Sequence, residues 1–168
     1  MEIDVSFLVA VELDAGEMFR NVGLDAIADH APDDPDSLRA HIADGTAWVA
    51  ECDGEVIGYA VASIVDRHAH LGQVSVVRAA QGIGVGRSLV ERVEQWGRER
   101  GLVSITLTTF ADVPWNGPYY ARLGFEPVPL HELTPGLALI RADEAAKGID
   151  LRPRIAMRKP LIPGKAGG

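Results

Sequence analysis

The stretch Gln-Gly-Ile-Gly-Val-Gly, residues 81–86, places three glycines in six positions where a helical pattern begins. Glycine inside a helix costs roughly 0.5–1 kcal/mol relative to alanine, so this composition needs a physical reason. A strand-like apolar run, residues 73–77, precedes the glycines, and an amphipathic pattern over residues 84–101 follows them. The sequence therefore predicts a strand, a tight glycine-rich turn and a helix, in that order.

The expected first turn of this helix has no capping side chain. Ser, Thr, Asp and Asn, which normally cap a helix N-terminus, are absent between Val76 and Arg87. The exposed N–H groups and the positive end of the helix dipole then form an expected binding site for a phosphate or pyrophosphate. Arg78 and Arg87 add positive charge nearby. The alternative is a turn that needs glycine only for its positive φ angles.

Two common phosphate-binding motifs do not fit this stretch. The dinucleotide fingerprint is G-x-G-x-x-G with an acidic residue at the end of the next strand, whereas this spacing is G-x-G-x-G and no acidic residue ends the next strand near Thr108. The Walker motif needs a lysine after its last glycine, and the chain has Arg87 there and Gln81 at the place of the first glycine. A nucleotide-phosphate-binding enzyme is therefore disfavoured.

A third pattern fits at two separate places in the chain. Gln81-x-x-Gly84-x-Gly86 resembles the coenzyme A loop of the GNAT superfamily of N-acetyltransferases, whose motif is (Arg/Gln)-x-x-Gly-x-(Gly/Ala). Tyr120-Ala-Arg-Leu-Gly-Phe125 is similar to the Tyr-x-x-x-Gly-Phe signature of the same family. The two motifs occur in the family's order, and the resemblance covers roughly residues 4–130.

The resemblance implies an α/β (α+β) fold with a mixed, mostly antiparallel central sheet flanked by helices. It implies a single domain over residues 1–160 and a disordered tail at 161–168. Only Met1–Ile3 precede the first helical pattern, residues 5–19, so the family's first strand is expected to be missing or shortened.

The resemblance also implies acetyl-CoA as co-substrate. Its pyrophosphate is expected on the backbone N–H groups of residues 82–88, and its pantetheine arm along the preceding strand. The family often has an asparagine about eight residues before the tyrosine, and Asn116 lies only four before Tyr120. The coenzyme-binding residues expected on this basis are Val74, Val76, Gln81, Gly82, Ile83, Gly84, Val85, Gly86, Arg87, Ser88 and Asn116.

The implied reaction is direct attack of a primary amine, of a small molecule or a protein, on the acetyl thioester in a ternary complex. The departing thiolate needs a proton, and by resemblance Tyr120 supplies it; the alternative is an aromatic residue that packs beside Phe125. The backbone N–H of Val74 is the expected donor to the carbonyl oxygen. His70 is the candidate base, since it lies where some relatives carry a glutamate and titrates near pH 6.5. His68 and ordered water are the alternatives to it.

Composition limits the partners. The 168 residues carry a formal charge of −8, which disfavours nucleic acid as a partner. The single cysteine, Cys52, excludes an intramolecular disulfide and fits a reducing compartment, and no apolar run is long enough to span a membrane. His68 and His70 alone offer too few ligands for a metal. The chain is therefore expected to be cytoplasmic, without a metal, nucleic acid or membrane partner.

Two function classes stay open from the sequence. The first is an N-acetyltransferase, and the second is a non-catalytic acyl-CoA-binding sensor or assembly domain of the same fold. Acidic residues of the first helix, Glu12, Asp14 and Glu17, either meet a cationic acceptor or form a solvated helix face. Apolar positions of a predicted helix over residues 134–147 either supply a homodimer interface or pack on the sheet.

Overall fold

The computed structural model describes residues 3–161. Helices precede the sheet and separate its later strands. The α-helices are α1 (Val5–Gly16), α2 (Asp25–Ala28), α3 (Pro35–Asp44), α4 (Val85–Glu99), α5 (Gly117–Arg122) and α6 (Pro135–Ala146). The strands are β1 (Ala47–Cys52), β2 (Glu55–Val65), β3 (His68–Val76), β4 (Ser104–Phe110), β5 (Glu126–Val128) and β6 (Arg154–Pro160). Short 3₁₀ turns cover Glu17–Val22, Arg78–Ala80 and Leu130–Glu132.

The six strands form one sheet in the order β1-β2-β3-β4-β6-β5. The pairs β1/β2, β4/β6 and β5/β6 are antiparallel, and β3 pairs with β4 in parallel. The turn between β1 and β2 is Asp53–Gly54, with φ of 50° and 81°, as the hairpin signal predicts. This architecture confirms the predicted fold class. Among the described residues 3–161, α1 is the first helix or strand.

The chain divides into two compact units. The first unit comprises the described residues up to Ser63 together with Leu71–Val93, and the second comprises Ile64–His70 together with the described residues from Glu94 onward. The single domain predicted for residues 1–160 stays a prediction.

The core of the first unit forms where α1 and α3 cover β2. Asp4 caps α1 by accepting a hydrogen bond from the Ser6 N–H at 2.8 Å. The sequence predicts a loop over residues 32–35 and a short helix that starts at Asp36. Helix α3 instead has Pro35 in its first turn and Asp34 as its cap, so it begins slightly earlier. The buried cluster consists of Leu8, Val11, Leu38, Tyr59 and Val61. This arrangement orients one face of α1 toward β2.

In the second unit, polar and apolar side chains alternate along the first residues of β4. Ile105 and Leu107 are buried, and Thr106 pairs with His70 in the parallel ladder. A Cβ added to Gly97 of α4 would lie 3.2 Å from the Ala69 Cβ, so Ala69 faces α4 and its neighbours His68 and His70 face the other side of β3.

The predicted tail needs one correction. Leu161 is buried, and its N–H donates to the Val103 carbonyl at 3.0 Å, so it extends the packed structure beyond β6. A Cβ on Gly97 would approach the Leu161 side chain to 2.6 Å, which shows how closely the helix packs there. The remainder of the predicted tail lies outside the described residues.

Helix α6 packs on β5 and β6. Thr134 caps it, and the Asp66 carboxylate accepts a second hydrogen bond, from the Gly136 N–H at 2.7 Å. Leu137 is buried against Val128 and Ala156, and Ile140 joins this cluster. Two of the apolar positions considered for an interface therefore pack within the second unit.

Candidate functional site

The glycine-rich loop has the open geometry that its sequence predicts. Gly82 and Gly84 have φ of 77° and 90°, a region that residues with a Cβ rarely adopt. A Cβ added at either position would meet nothing within 4 Å, so packing does not explain these glycines. Backbone conformation accounts for Gly82 and Gly84 but not for Gly86, whose φ is not positive.

Helix α4 begins with unpaired donors. The Ser88 N–H donates to the Gly84 carbonyl at 3.0 Å, and the N–H groups of Val85, Gly86 and Arg87 precede this first helical hydrogen bond. Ile83 is 74% exposed beside them. These donors and the positive end of the helix dipole both favour an anion at this position.

Gln81 ties the loop to β3. Its side-chain Nε2 donates to the Val76 carbonyl at 2.7 Å. Val76 is buried and Val74 is half-buried. The first residue of the motif therefore holds the loop at the end of the strand along which the pantetheine arm is expected, a role that its sequence position did not reveal.

Both arginines near the loop have carboxylate partners. Asp14 of α1 accepts from the Arg78 backbone N–H at 2.7 Å and from its guanidinium at 3.0 Å, and this pairing lowers the pKa of Asp14. Arg87 pairs with Glu91 at 3.0 Å on the exposed surface of α4. Arg78 also lies at an open cavity of about 500 Å³ between α1 and the end of β3.

Strand β3 is irregular between Gly72 and Ser75. A Cβ on Gly72 would lie 3.6 Å from Val61, and the Ser75 hydroxyl interacts with the phenol of Tyr59. Tyr59 and Val61 lie on the same face of β2, so Gly72 and Ser75, three residues apart, face the same side. Strict alternation cannot place both residues on that side, so β3 departs from regular alternation between Gly72 and Ser75.

Tyr120 lies on α5. Its ring makes edge-on contacts with Tyr119 and Phe125, at centroid distances of 5.3 Å and 5.7 Å. Burial raises the pKa of Tyr120, so the phenol keeps its proton at neutral pH.

Asn116 precedes α5 without capping it. Its side-chain amide donates to the Trp115 carbonyl at 3.1 Å, and its φ and ψ of −115° and −112° are unusual. No feature of these contacts tests its predicted role as a coenzyme contact.

His70 is buried rather than exposed at a strand end. Its Nδ1 shares a hydrogen bond with Thr106 Oγ1 at 3.0 Å, and burial lowers the pKa of His70 to about 4. The neighbouring His68 shares one with Ser104 Oγ at 2.9 Å, and burial also lowers its pKa. The role of His70 as a base stays a prediction, but its ordinary titration near pH 6.5 no longer supports that role.

The surroundings of Glu12 were not predictable from the sequence. Glu12 is half-buried, and its Oε2 accepts from the Tyr59 hydroxyl at 3.1 Å and from the Asp33 N–H at 3.0 Å. Burial, followed by the charge of Asp33, raises the pKa of Glu12 to about 7. A solvated helix face, one of the two interpretations of Glu12, is therefore wrong for this residue.

Within residues 3–161, no group of three or more His, Cys, Asp or Glu side chains is arranged to hold a metal ion. Over the same residues no helix has the length and apolar character that a membrane crossing requires. Cys52 is exposed.

Comparisons with known proteins agree with the fold. The model of the acetyltransferase (GNAT) family matches residues 15–125, about two thirds of the chain. The PaiA N-acetyltransferase of Thermoplasma acidophilum, solved with coenzyme A, is 14% identical with a TM-score of 0.70, over 95% of this chain and 96% of that one. The ribosomal-protein-S18-alanine N-acetyltransferase of Escherichia coli is 17% identical with a TM-score of 0.64, over 99% and 96%.

A third structure is larger than this chain. The N-acetylglutamate synthase of Neisseria gonorrhoeae, solved with coenzyme A and N-acetyl-glutamate, is 18% identical with a TM-score of 0.68. The match covers 97% of this chain and 35% of that one, so the chain corresponds to about a third of the synthase.

Proposed function

Since the chain belongs to the acetyltransferase (GNAT) family, we propose that it transfers an acetyl group from acetyl-CoA to a primary amine of a small molecule or protein. The family assignment covers acyl transfer in general. The acetyl donor, the amine acceptor and the direct attack in a ternary complex are the proposed details.

The observation that carries the proposal is the open glycine loop at the start of α4. Its N–H groups precede the first helical hydrogen bond, and Gly84 keeps the approach to them clear. Gln81 fixes the loop at the end of β3 through its bond to the Val76 carbonyl. A pyrophosphate bound there would receive hydrogen bonds from backbone groups that other described residues leave unpaired.

The coenzyme would supply an activated acyl thioester. The chain would position the acyl carbonyl with the Val74 N–H and return a proton to the departing sulfur from Tyr120. Burial raises the pKa of Tyr120, so the phenol stays protonated at neutral pH and can donate a hydrogen bond to the departing sulfur. These roles follow from the family resemblance of the two motifs.

The loop assignment is tested by Gly84→Asp, with coenzyme A binding measured by calorimetry. A carboxylate among donors meant for pyrophosphate should lower the affinity by about tenfold or more, through repulsion and lost access. Gly84→Asn imposes nearly the same backbone strain without the charge, so the difference between the two variants isolates electrostatics.

A matched control is Gly54→Asp in the β1–β2 turn. Gly54 also has a positive φ, 81°, and open space around its added Cβ. It should bind coenzyme A like the wild type. Unchanged affinity in a folded Gly84→Asp protein would refute the loop as the pyrophosphate site.

The transfer itself is tested with a panel of amines and acetyl-CoA, by detecting the released thiol. Amine-dependent release supports the proposed enzyme. Coenzyme binding without release for any amine would instead support a sensor or assembly domain of the same fold.

A further inference from the structure

Glu12 lies in a hydrogen-bond network that joins α1 to β3 within the first unit. The Gln73 side-chain amide donates to Ser75 Oγ at 2.7 Å. Ser75 interacts with the Tyr59 phenol, and the Tyr59 hydroxyl donates to Glu12 Oε2 at 3.1 Å. Ser75 follows Val74 directly in β3, so the network connects this carboxyl group to the strand segment at which the acyl carbonyl is expected.

The two oxygens of the Glu12 carboxyl group differ. Oε2 accepts both hydrogen bonds, from Tyr59 and from the Asp33 N–H at 3.0 Å, whereas the described residues provide no hydrogen bond to Oε1. Tyr59 is fully buried, and burial raises its pKa, so it remains a donor and holds Oε2 in place. Glu12 as a whole keeps part of its surface exposed to solvent.

We propose that Glu12 takes up, at Oε1, the proton that the acceptor amine must lose before it attacks. The inference rests on the proposed amine acetylation and names the proton acceptor for that reaction. One N–H bond of the ammonium group breaks and an O–H bond forms at Oε1. The nitrogen lone pair is then free to form the C–N bond, and the carboxyl group returns its proton to solvent.

The charged surroundings of Glu12 set the pH range in which its carboxylate can take up a proton. Asp33 and His30, from the segment after α2, and Tyr59 from β2 are the titratable groups that act on it. Burial and the Asp33 charge disfavour the carboxylate, whereas the hydrogen bonds from Tyr59 and the Asp33 N–H favour it. The resulting pKa of about 7 puts Glu12 near the operating pH, where a general base works best.

The test is the pH dependence of kcat/KM for thiol release in the wild type and two variants. The wild type should show a limb that rises through about pH 7. Glu12→Gln keeps an acceptor oxygen for Tyr59 but cannot accept the proton, so the limb should vanish and the rate at pH 8 should fall by about 10²–10⁴. Glu17→Gln, a nearby exposed carboxylate whose pKa is lowered by Arg20, should leave the limb unchanged.

Tyr59→Phe gives a second test if Glu12→Gln does not fold. Loss of the phenol donor should raise the pKa of Glu12 and move the limb to higher pH. Asp33→Asn removes a neighbouring negative charge and should move the limb to lower pH. A residue that merely supports the fold would not shift the midpoint in these opposite directions.

The carboxyl group is also measured without turnover, by following the Glu12 side-chain ¹³C signal against pH by NMR. A midpoint near pH 7 supports the inference, and a midpoint near 4.5 overturns it. An active wild type whose limb persists in Glu12→Gln overturns the role of Glu12 alone. A wild type that binds coenzyme A but acetylates no amine overturns the proposed function, and the role of Glu12 with it.

Discussion

Glu12 in the first unit is half-buried and His70 in the second is buried, and burial moves the pKa values of these two titratable groups in opposite directions. The pKa of Glu12 rises to about 7, and that of His70 falls to about 4. The physical cause is the same, because desolvation penalises whichever form is charged. As a result, the pKa of Glu12 moves close to neutral pH, whereas the pKa of His70 moves away from it.

This difference decides which group is the better proton acceptor. A lysine-like ammonium has a pKa of about 10.4, so transfer of its proton to a group of pKa 4 is uphill by about 9 kcal/mol. Transfer to a group of pKa 7 is uphill by about 5 kcal/mol. His70 is neutral at pH 7 and formally able to accept, but its conjugate acid is too strong for the task.

Tyr120 extends the comparison to a third buried group, because burial raises its pKa and keeps the phenol protonated at neutral pH. We expect Tyr120→Phe to lower kcat by about 10²–10⁴, the usual contribution of one acid–base group. The melting temperature and coenzyme A affinity should change little, because only one oxygen is lost. Kinetics at saturating acetyl-CoA and thermal unfolding on one preparation measure both quantities.

Tyr119→Phe is the matched control, since it removes a hydroxyl from the ring that packs against Tyr120. It should not reproduce the loss of turnover. Normal turnover in Tyr120→Phe, together with a lower melting temperature, would show that Tyr120 serves packing rather than catalysis.

The effect of His70 should appear in the stability of the protein at acid pH rather than in the rate of acetyl transfer. Its folded pKa of about 4 lies below the unfolded value, so its contribution is fully present above pH 6.5 and is lost as the pH falls to 4. The free energy of unfolding of the wild type should therefore fall by about 3 kcal/mol between pH 6.5 and pH 4. His70→Gln should lack this part of the pH dependence in urea unfolding.

The exposed His131 supplies the control, because His131→Gln should leave the acid profile as it is in the wild type. If His70→Gln retained the full acid sensitivity, the pairing of a buried, neutral imidazole with Thr106 would not be the cause.

The smallest expected effect is on the stability of Glu12→Gln. The folded pKa of Glu12 lies above the unfolded value, so its contribution is present below pH 4.5 and is lost as the pH rises through 7. Glu12→Gln should therefore be more stable than wild type at pH 9 relative to pH 5, by about 1–2 kcal/mol once solvent screening is allowed for. Urea unfolding at the two pH values tests this difference, and an equal offset at both would contradict it.

Much of the fold was predictable because its signals are local. The hairpin at Asp53–Gly54, the alternation of β4 and the extent of α4 follow from turn residues and periodicity within short segments. Helix α2, with four residues, offered too short a pattern to be found. The start of α3 was placed late because Pro35, assigned to a loop, is tolerated in a helix's first turn.

The candidate site also has one part that local sequence predicts and another part that depends on residues far apart in the chain. By itself, the sequence determined the glycine loop, since positive φ angles and the absence of a capping residue depend only on residues 81–88. Only the tertiary structure decided which ionisable side chains are buried. Glu12 meets Asp33, 21 residues away, and Tyr59, 47 residues away, and His70 meets Thr106 across a parallel ladder. Desolvation depends on such distant neighbours, and no pattern within α1 or β3 contains them.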